Sequence, residues 1–326
     1  MRALTIRPGG DLTVAERPDP VPLDDQVLVR VAGAGLNRAD LLQRAGHYPP
    51  PPGVPADIPG LEFSGTVEAL GPAATGLAIG DRVFGIVAGG AQAELVITRA
   101  SHCARVPESL DLVTAGGVPE AFITAHDAMR TQARLASGEV VLVHAVGSGV
   151  GLAALDLARA FGCPVVGTAR TAAKLDRART RGLDHPIVAP DPFDAVALAR
   201  SITDVCGGVD VVLDLVGGEY AQADVLAANA RGRIVLIGTL AGGKATLPVL
   251  AMMSKRLTMM GTVLRTRSGD EKTAATEAFA AEVVPLLASG AVAPEIEAVV
   301  PLEDATSAYE RLASDSTFGK LVLALD

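Results

Sequence analysis

The sequence predicts an α/β protein: a segment of short strands followed by a doubly wound parallel sheet. Three observations predict it. Up to about residue 107 the chain carries short β-rich runs broken by Gly and Pro every few residues. From about Ser109 strand candidates alternate with helical stretches, the rhythm of a parallel sheet with helices on both faces. Those later strands are apolar on both sides, as strands covered on each face must be.

Composition bounds the rest. At 326 residues the chain suffices for about two domains, and 49% hydrophobic against 20% charged residues lets it bury a large core. Trp is absent and only seven Phe and three Tyr occur, so packing rests on Val, Leu, Ile and Ala. A net charge of −9 argues against nucleic acid or an anionic membrane as the main partner. Cys103, Cys163 and Cys206 are far apart and form no C-x-x-C pair, which excludes a disulfide framework and a cysteine-rich zinc lobe. MRALTIRPGG has no apolar signal core and no stretch is apolar enough to span a bilayer, so a cytoplasmic protein is expected.

In order, Gln26–Val31, Gly65–Leu70, Asp81–Val87 and Ala93–Thr98 read as strands of a compact, irregular barrel. Pro49–Pro52, with Pro55 and Pro59, reads as a stiff surface loop or as a rigid wall beside an active-site mouth. Helical stretches Leu110–Gly116 and Ala121–Arg134 lead into strands Val140–His144, Pro164–Thr168, His185–Val188, Val209–Leu213 and Arg233–Ile237. Helices Val150–Phe161, Ala172–Arg181, Phe193–Val205 and Glu219–Asn229 run between or after them. Leu257–Leu264 makes a sixth strand. Helices Glu271–Ser289 and Leu302–Ala313 then precede a last strand, Lys320–Leu325.

The stretch VVLVHAVGSGVG, Val140–Gly151, carries the chemistry. A strand ending in a glycine-rich turn that opens a helix aims backbone N–H groups and a positive helix end at one spot, which suits a phosphate. Val146, Gly147, Ser148, Gly149, Val150 and Gly151 form that turn. They depart from a strict G-x-G-x-x-G, since Val146 and Ser148 stand at the first two glycines.

NAD sites place an acid about 20 residues beyond the glycines, to bind a ribose hydroxyl. Here the acid is replaced by Arg170, with Thr171 and Lys174 after it. A charge-assisted contact of Arg to phosphate is worth roughly 1.5–3 kcal/mol, so NADPH is expected over NADH. Val216, in DLVGG, and Gly238 and Thr239, in LIGT, fall at the carboxyl ends of strands, where such sheets bind ligands. Asp214 beside them also reads as an ordinary helix cap. His144 and His126 read as satisfied core histidines.

Six segments together resemble a known family: GLNRADLLQRAGHYPPPPG, PGLEFSGTVEALG, GDRVFG, PEAFITAHDAM, VHAVGSGVG and FGKLVLAL. They span nearly the whole chain in order and are similar to the zinc-free quinone oxidoreductase (zeta-crystallin-like) branch of the medium-chain dehydrogenase/reductase superfamily. The resemblance implies a GroES-like β-barrel domain from residues 1–120 and 266–326, around a Rossmann domain of residues 121–265.

It also places Asn37, Leu61 and Glu120 where zinc-dependent relatives carry Cys, His and Cys. Asn and Leu supply no thiolate or imidazole, so no metal is expected. It implies a nicotinamide pocket lined by Asn37 and Tyr48, with Tyr48 donating a proton or hydrogen bond. Asp40 and Glu62 are implied as structural carboxylates, and Thr124 and Lys320 as approaching the cofactor.

The leading expectation is therefore a zinc-independent NADPH:quinone reductase passing hydride directly to a quinone or similar conjugated carbonyl. The alternatives are an enone or enoyl reductase of a biosynthetic pathway, and a non-enzymatic NADPH-binding protein of regulatory or RNA-binding type. An apolar edge strand at Thr258–Leu264 leads us to expect a homodimer through the Rossmann sheet.

Overall fold

The structure is a computed structural model describing residues 1–325. It divides into two compact units, Met1–Ile123 with Leu264 onward, and Thr124–Val263. The strands are β1 (Arg2–Ile6), β2 (Leu12–Glu16), β3 (Gln26–Gly35), β4 (Glu62–Leu70), β5 (Arg82–Ile86), β6 (Leu95–Arg99) and β7 (Cys103–Arg105), then β8 (Val141–Val143), β9 (Val165–Ala169), β10 (His185–Val188), β11 (Val209–Asp214), β12 (Ala228–Leu236) and β13 (Thr258–Gly261), and finally β14 (Ile296–Pro301) and β15 (Lys320–Ala324). The helices are α1 (Arg38–Arg44), α2 (Pro119–His126), α3 (Gly149–Ala160), α4 (Ala172–Thr180), α5 (Ala195–Cys206), α6 (Tyr220–Ala227), α7 (Val249–Lys255), α8 (Gly269–Glu282), α9 (Val284–Ser289) and α10 (Ala305–Ala313).

The first unit is organised around β3. Its N-terminal half pairs with β6, its C-terminal end with β15, and its other edge with β4, all antiparallel. The sheet order is β14-β15-β3-β4-β5-β7, so strands from both ends of the chain close one barrel-like sheet. Along β3 the period of two turns Val27, Val29 and Val31 inward, onto Phe63, Val67, Val83, Leu321, Leu323 and Tyr309. Tyr309 is fully buried, and its hydroxyl donates to Gln92 Oε1 at 2.8 Å.

The second unit is a parallel sheet of order β10-β9-β8-β11-β12-β13. Strand order reverses beside β8, whose three residues are wholly buried, and ligands of such sheets bind at that switch point. Leu198 and Ile202 of α5 pack on Leu142, Val166 and Val212 to form its core.

Some expectations needed correction. Leu110–Gly116 is not an α-helix but contains the start of a 3₁₀ turn, Thr114–Gly117. Gly116 lies against the backbone of Gly33, where a Cβ would come within 2.5 Å, and paired glycines weaken a helix. The helix of Ala121–Arg134 is α2, which widens into a π-helical turn at Asp127–Gln132. Glu271–Ser289 is two helices, with Pro285 in the first turn of α9, where its missing N–H costs nothing.

Candidate active site

In the first unit a buried polar cluster forms where β4, α1, α2 and β15 meet. Asn37 is the N-cap of α1, and its backbone N–H donates to Asp40 Oδ2 at 2.8 Å, which starts the helix. Its side chain lies between two opposite charges. Nδ2 donates to Glu62 Oε1 at 2.9 Å, and Oδ1 accepts from Lys320 Nζ at 2.7 Å. The amide orientation is thereby fixed, since only the oxygen can face an ammonium and only the NH₂ a carboxylate.

Lys320 Nζ also donates to Leu36 O at 2.7 Å and contacts Glu62 Oε1 at 2.6 Å. All three ammonium protons thus meet protein acceptors, and the side chain is 7% exposed. The partners of Lys320 in the structure are Leu36, Asn37 and Glu62.

The second Glu62 oxygen accepts from the backbone N–H of Glu120 at 2.8 Å, at the start of α2. Burial and the neighbouring Glu62 push the Glu120 carboxyl up to about 8, against the pull of Lys320. Asp40 accepts from Asn37, Gly60 and Gln92. Burial outweighs those donors and holds its carboxyl at about 6.

Tyr48 is half-buried in the loop after α1. Its ring lies under the Arg265 guanidinium, 4.7 Å from the ring centroid, and its hydroxyl has no protein partner among the described residues. Burial raises the phenol above its ordinary value, Arg265 pulls it down and Glu120 pushes it up.

In the second unit the Val146–Gly151 turn follows β8 at the switch point. Ala145 takes φ 50°, a left-handed conformation costly for a residue with a Cβ, and so bends the chain sharply off the strand. Ser148 caps α3, its hydroxyl accepting from Gly151 N at 3.1 Å. Gly149 and Val150 are the first two helical residues, and their N–H groups have no intrahelical partner. Gly151 must be glycine here, since a Cβ would stand 2.5 Å from Ala145 O. Val146 plays a different part from its neighbours. Its side chain is fully buried and its N–H donates to Thr168 O at 2.9 Å, so it shapes the turn and offers no free donor.

The other expected positions follow the neighbouring strands. Arg170 is exposed immediately after β9, Thr171 is the N-cap of α4, and Lys174 lies half-buried in that helix's first turn. Val216 and Gly217, after β11, both donate to Asp214 Oδ1 at 2.8 Å, so Asp214 is a turn-forming acceptor. Gly238 and Thr239 follow β12, and a Cβ on Gly217 would lie 2.7 Å from Gly238 O. The carboxyl ends of β9, β8, β11 and β12 are adjacent in the sheet, so these segments border one edge. Thr124 is half-buried within α2. His144 bonds Thr168 Oγ1 at 2.8 Å and Asp224 Oδ1 at 2.7 Å, with no exposed surface. It is a core histidine.

Comparison with known proteins places this geometry. The alcohol dehydrogenase GroES-like domain model matches residues 23–108, and the zinc-binding dehydrogenase model matches residues 149–281. Mouse (Mus musculus) quinone oxidoreductase is 30% identical, over 94% of this chain and 91% of its own. The human (Homo sapiens) quinone oxidoreductase is 29% identical, over 100% of this chain and 98% of its own. The chain belongs to the medium-chain dehydrogenase/reductase superfamily, in its quinone oxidoreductase-like branch.

Among solved structures, a mycobacterial protein complexed with NADPH is 30% identical, with a TM-score of 0.88 over 100% of both chains. The polyketide synthase GfsB of Streptomyces halstedii is 41% identical over 67% of this chain, yet the match spans only 4% of that protein. A second polyketide synthase component, from Streptomyces venezuelae, is matched over 6% of its length.

The zinc of the family model's description does not fit this member. Asn37 is tied to Glu62 and Lys320, and Leu61 is buried in the core with no donor atom. Among the described residues no three His, Cys, Asp or Glu side chains are grouped as a metal's donors. A dinucleotide does fit: Gly151 lets α3 start tight against the Ala145–Val146 backbone, and the first two helical residues, Gly149 and Val150, carry N–H groups without intrahelical partners.

Sequence reasoning missed Arg265 and the elevated Glu120. In the sequence Glu120 reads only as the replacement for a thiolate. Arg265 carries no local signal at all, because its partners lie more than two hundred residues earlier in the chain or on main-chain atoms.

Proposed function

We propose that this protein is an NADPH-dependent, zinc-independent reductase of quinones or similar conjugated carbonyls. The observation that carries the reading is Asn37, an amide locked between Glu62 and Lys320 where zinc-dependent relatives carry a thiolate. Such a site has no Lewis acid to stabilise an alkoxide, which favours an acceptor that is already electrophilic. NADPH, when bound, supplies the hydride.

The chain's own groups supply the rest. The N–H groups of Gly149 and Val150, with the positive end of α3, hold a pyrophosphate. Arg170, Thr171 and Lys174 favour the phosphorylated ribose. Asn37, its amide NH₂ directed at Glu62 Oε1 and, at 3.5 Å, at Gly35 O, lines the nicotinamide pocket in a fixed orientation. Tyr48 gives a proton, or a hydrogen bond, to the acceptor oxygen as charge develops there.

A second reading, reduction of an enone or enoyl thioester, is favoured by the 41% identity to a segment of a polyketide synthase. Steady-state NADPH oxidation against matched quinones and enones tests both. Turnover of quinones with weak or no turnover of enones supports the first reading; the reverse supports the second, and no quinone turnover rejects the first.

A further inference from the structure

Arg265 enters the first unit where the chain leaves β13, and it is 3% exposed. Its guanidinium meets three acceptors. Nε donates to Ala88 O at 2.7 Å, Nη1 to Tyr48 O at 2.9 Å, and Nη2 to Gln43 Oε1 at 2.6 Å. The same group stacks over the Tyr48 ring. Its own carbonyl accepts from Lys272 Nζ at 2.8 Å, so both ends of the residue are held.

Gln43 extends the brace. Its Nε2 donates to Ala56 O at 3.3 Å, so the Arg265–Gln43 pair ties both ends of the Tyr48–Ala56 loop. Five of the residues inside that loop are prolines, which have no N–H to offer and cannot hold the loop by a ladder of their own. On its far side the loop packs on Gly89, where a Cβ would come 2.7 Å from Val54 Cγ1. A guanidinium reaches three acceptors and a ring face at once, whereas an ammonium has no such fork.

We propose that Arg265 is the positioning residue for Tyr48, fixing its ring and the proline loop so that the phenol is presented to the acceptor. This deepens the function proposed above and, for turnover, rests on it. The charges facing the phenol are Arg265, which favours its ionised form, and Glu120, which opposes it. Those facing the guanidinium are Tyr48, Asp40 and Glu120, with Lys272 beside it carrying the same sign.

The chain has three tyrosines and no tryptophan, so phenolate absorbance taken as a difference against Tyr48→Phe reads Tyr48 without any turnover. In Arg265→Met the Tyr48 titration moves to higher pH. The kcat for a quinone falls about tenfold while the NADPH Kd stays as in wild type. Arg265→Lys, which keeps the charge, recovers part of the titration shift and little of kcat. An unshifted titration in Arg265→Met, or a shifted one with wild-type kcat, overturns the proposal. Should Arg265→Met fail to fold, Gln43→Leu reads the same brace: a lowered kcat at unchanged NADPH Kd supports it, and wild-type kcat overturns it. Absence of quinone turnover in the wild type overturns the function proposed above, and the titration still decides the positioning.

Discussion

Lys320 and Asn37 orient one another: the ammonium donates to the amide oxygen at 2.7 Å, and both groups contact the same Glu62 oxygen, at 2.6 and 2.9 Å. A lysine on the last strand thereby fixes a side chain at the start of the first helix, through a carboxylate with no exposed surface.

Removing the ammonium leaves that carboxylate buried without its counter-charge, held only by the Asn37 amide and the Glu120 backbone N–H. Lys320→Met is expected to cost about 3–5 kcal/mol in chemical denaturation, since breaking a buried pair costs more than replacing it. Adding Glu62→Gln should restore much of the loss. Equal stability of Lys320→Met and wild type would show that the pair contributes nothing to folding.

The raised carboxyls give a pH dependence of definite sign. Glu120 moves from an ordinary 4.5 to about 8 and Asp40 from 3.8 to about 6. A carboxyl raised in the folded state gives stability that is complete below its unfolded value and lost as pH rises through its folded value. The urea midpoint of Glu120→Gln should therefore gain on wild type as pH rises from 4.5 to about 8. A constant difference across that interval would mean that Glu120 ionises as a solvated carboxylate does.

Arg170 is expected to direct cofactor choice. Arg170→Ala is expected to lower the preference for NADPH over NADH by about ten- to hundredfold in kcat/KM. An unchanged preference would assign selectivity to another group.

How much of this is legible in the sequence depends on chain separation. The parallel sheet is legible because Val141–Val143 and Val209–Leu213 are apolar on both faces, and the cradle because its glycines and Ser148 follow one strand directly. Arg170 is legible by the same local logic, as the residue just past its strand. Lys320 is not, because its meaning depends on Leu36, Asn37 and Glu62, which only the closed sheet brings to it. Arg265 is hidden for the same reason. Helices α1 and α7 escape notice because seven residues are too few to show a period.

Self-association is expected from what the second unit leaves uncovered. β13 is the last strand of its sheet, and α7, which packs against the neighbouring β12, leaves Leu250 and Met253 79% and 69% exposed. An unpaired edge strand in a unit that also exposes large apolar side chains favours pairing with a second copy. Light scattering at micromolar concentration should give the mass of a dimer, and Leu250→Glu with Met253→Glu should shift it toward a monomer. A monomer mass for the wild type would contradict this.

The proposed reaction is direct hydride delivery to an activated acceptor without metal assistance. Stopped-flow oxidation of NADPH by a saturating benzoquinone, with NADPH carrying hydrogen or deuterium at the transferred position, tests it most directly. Oxidation is expected in both cases, slower with deuterium and unaffected by a zinc chelator. NADPH that binds but is not oxidised by the quinone, or oxidation abolished by the chelator, would contradict it.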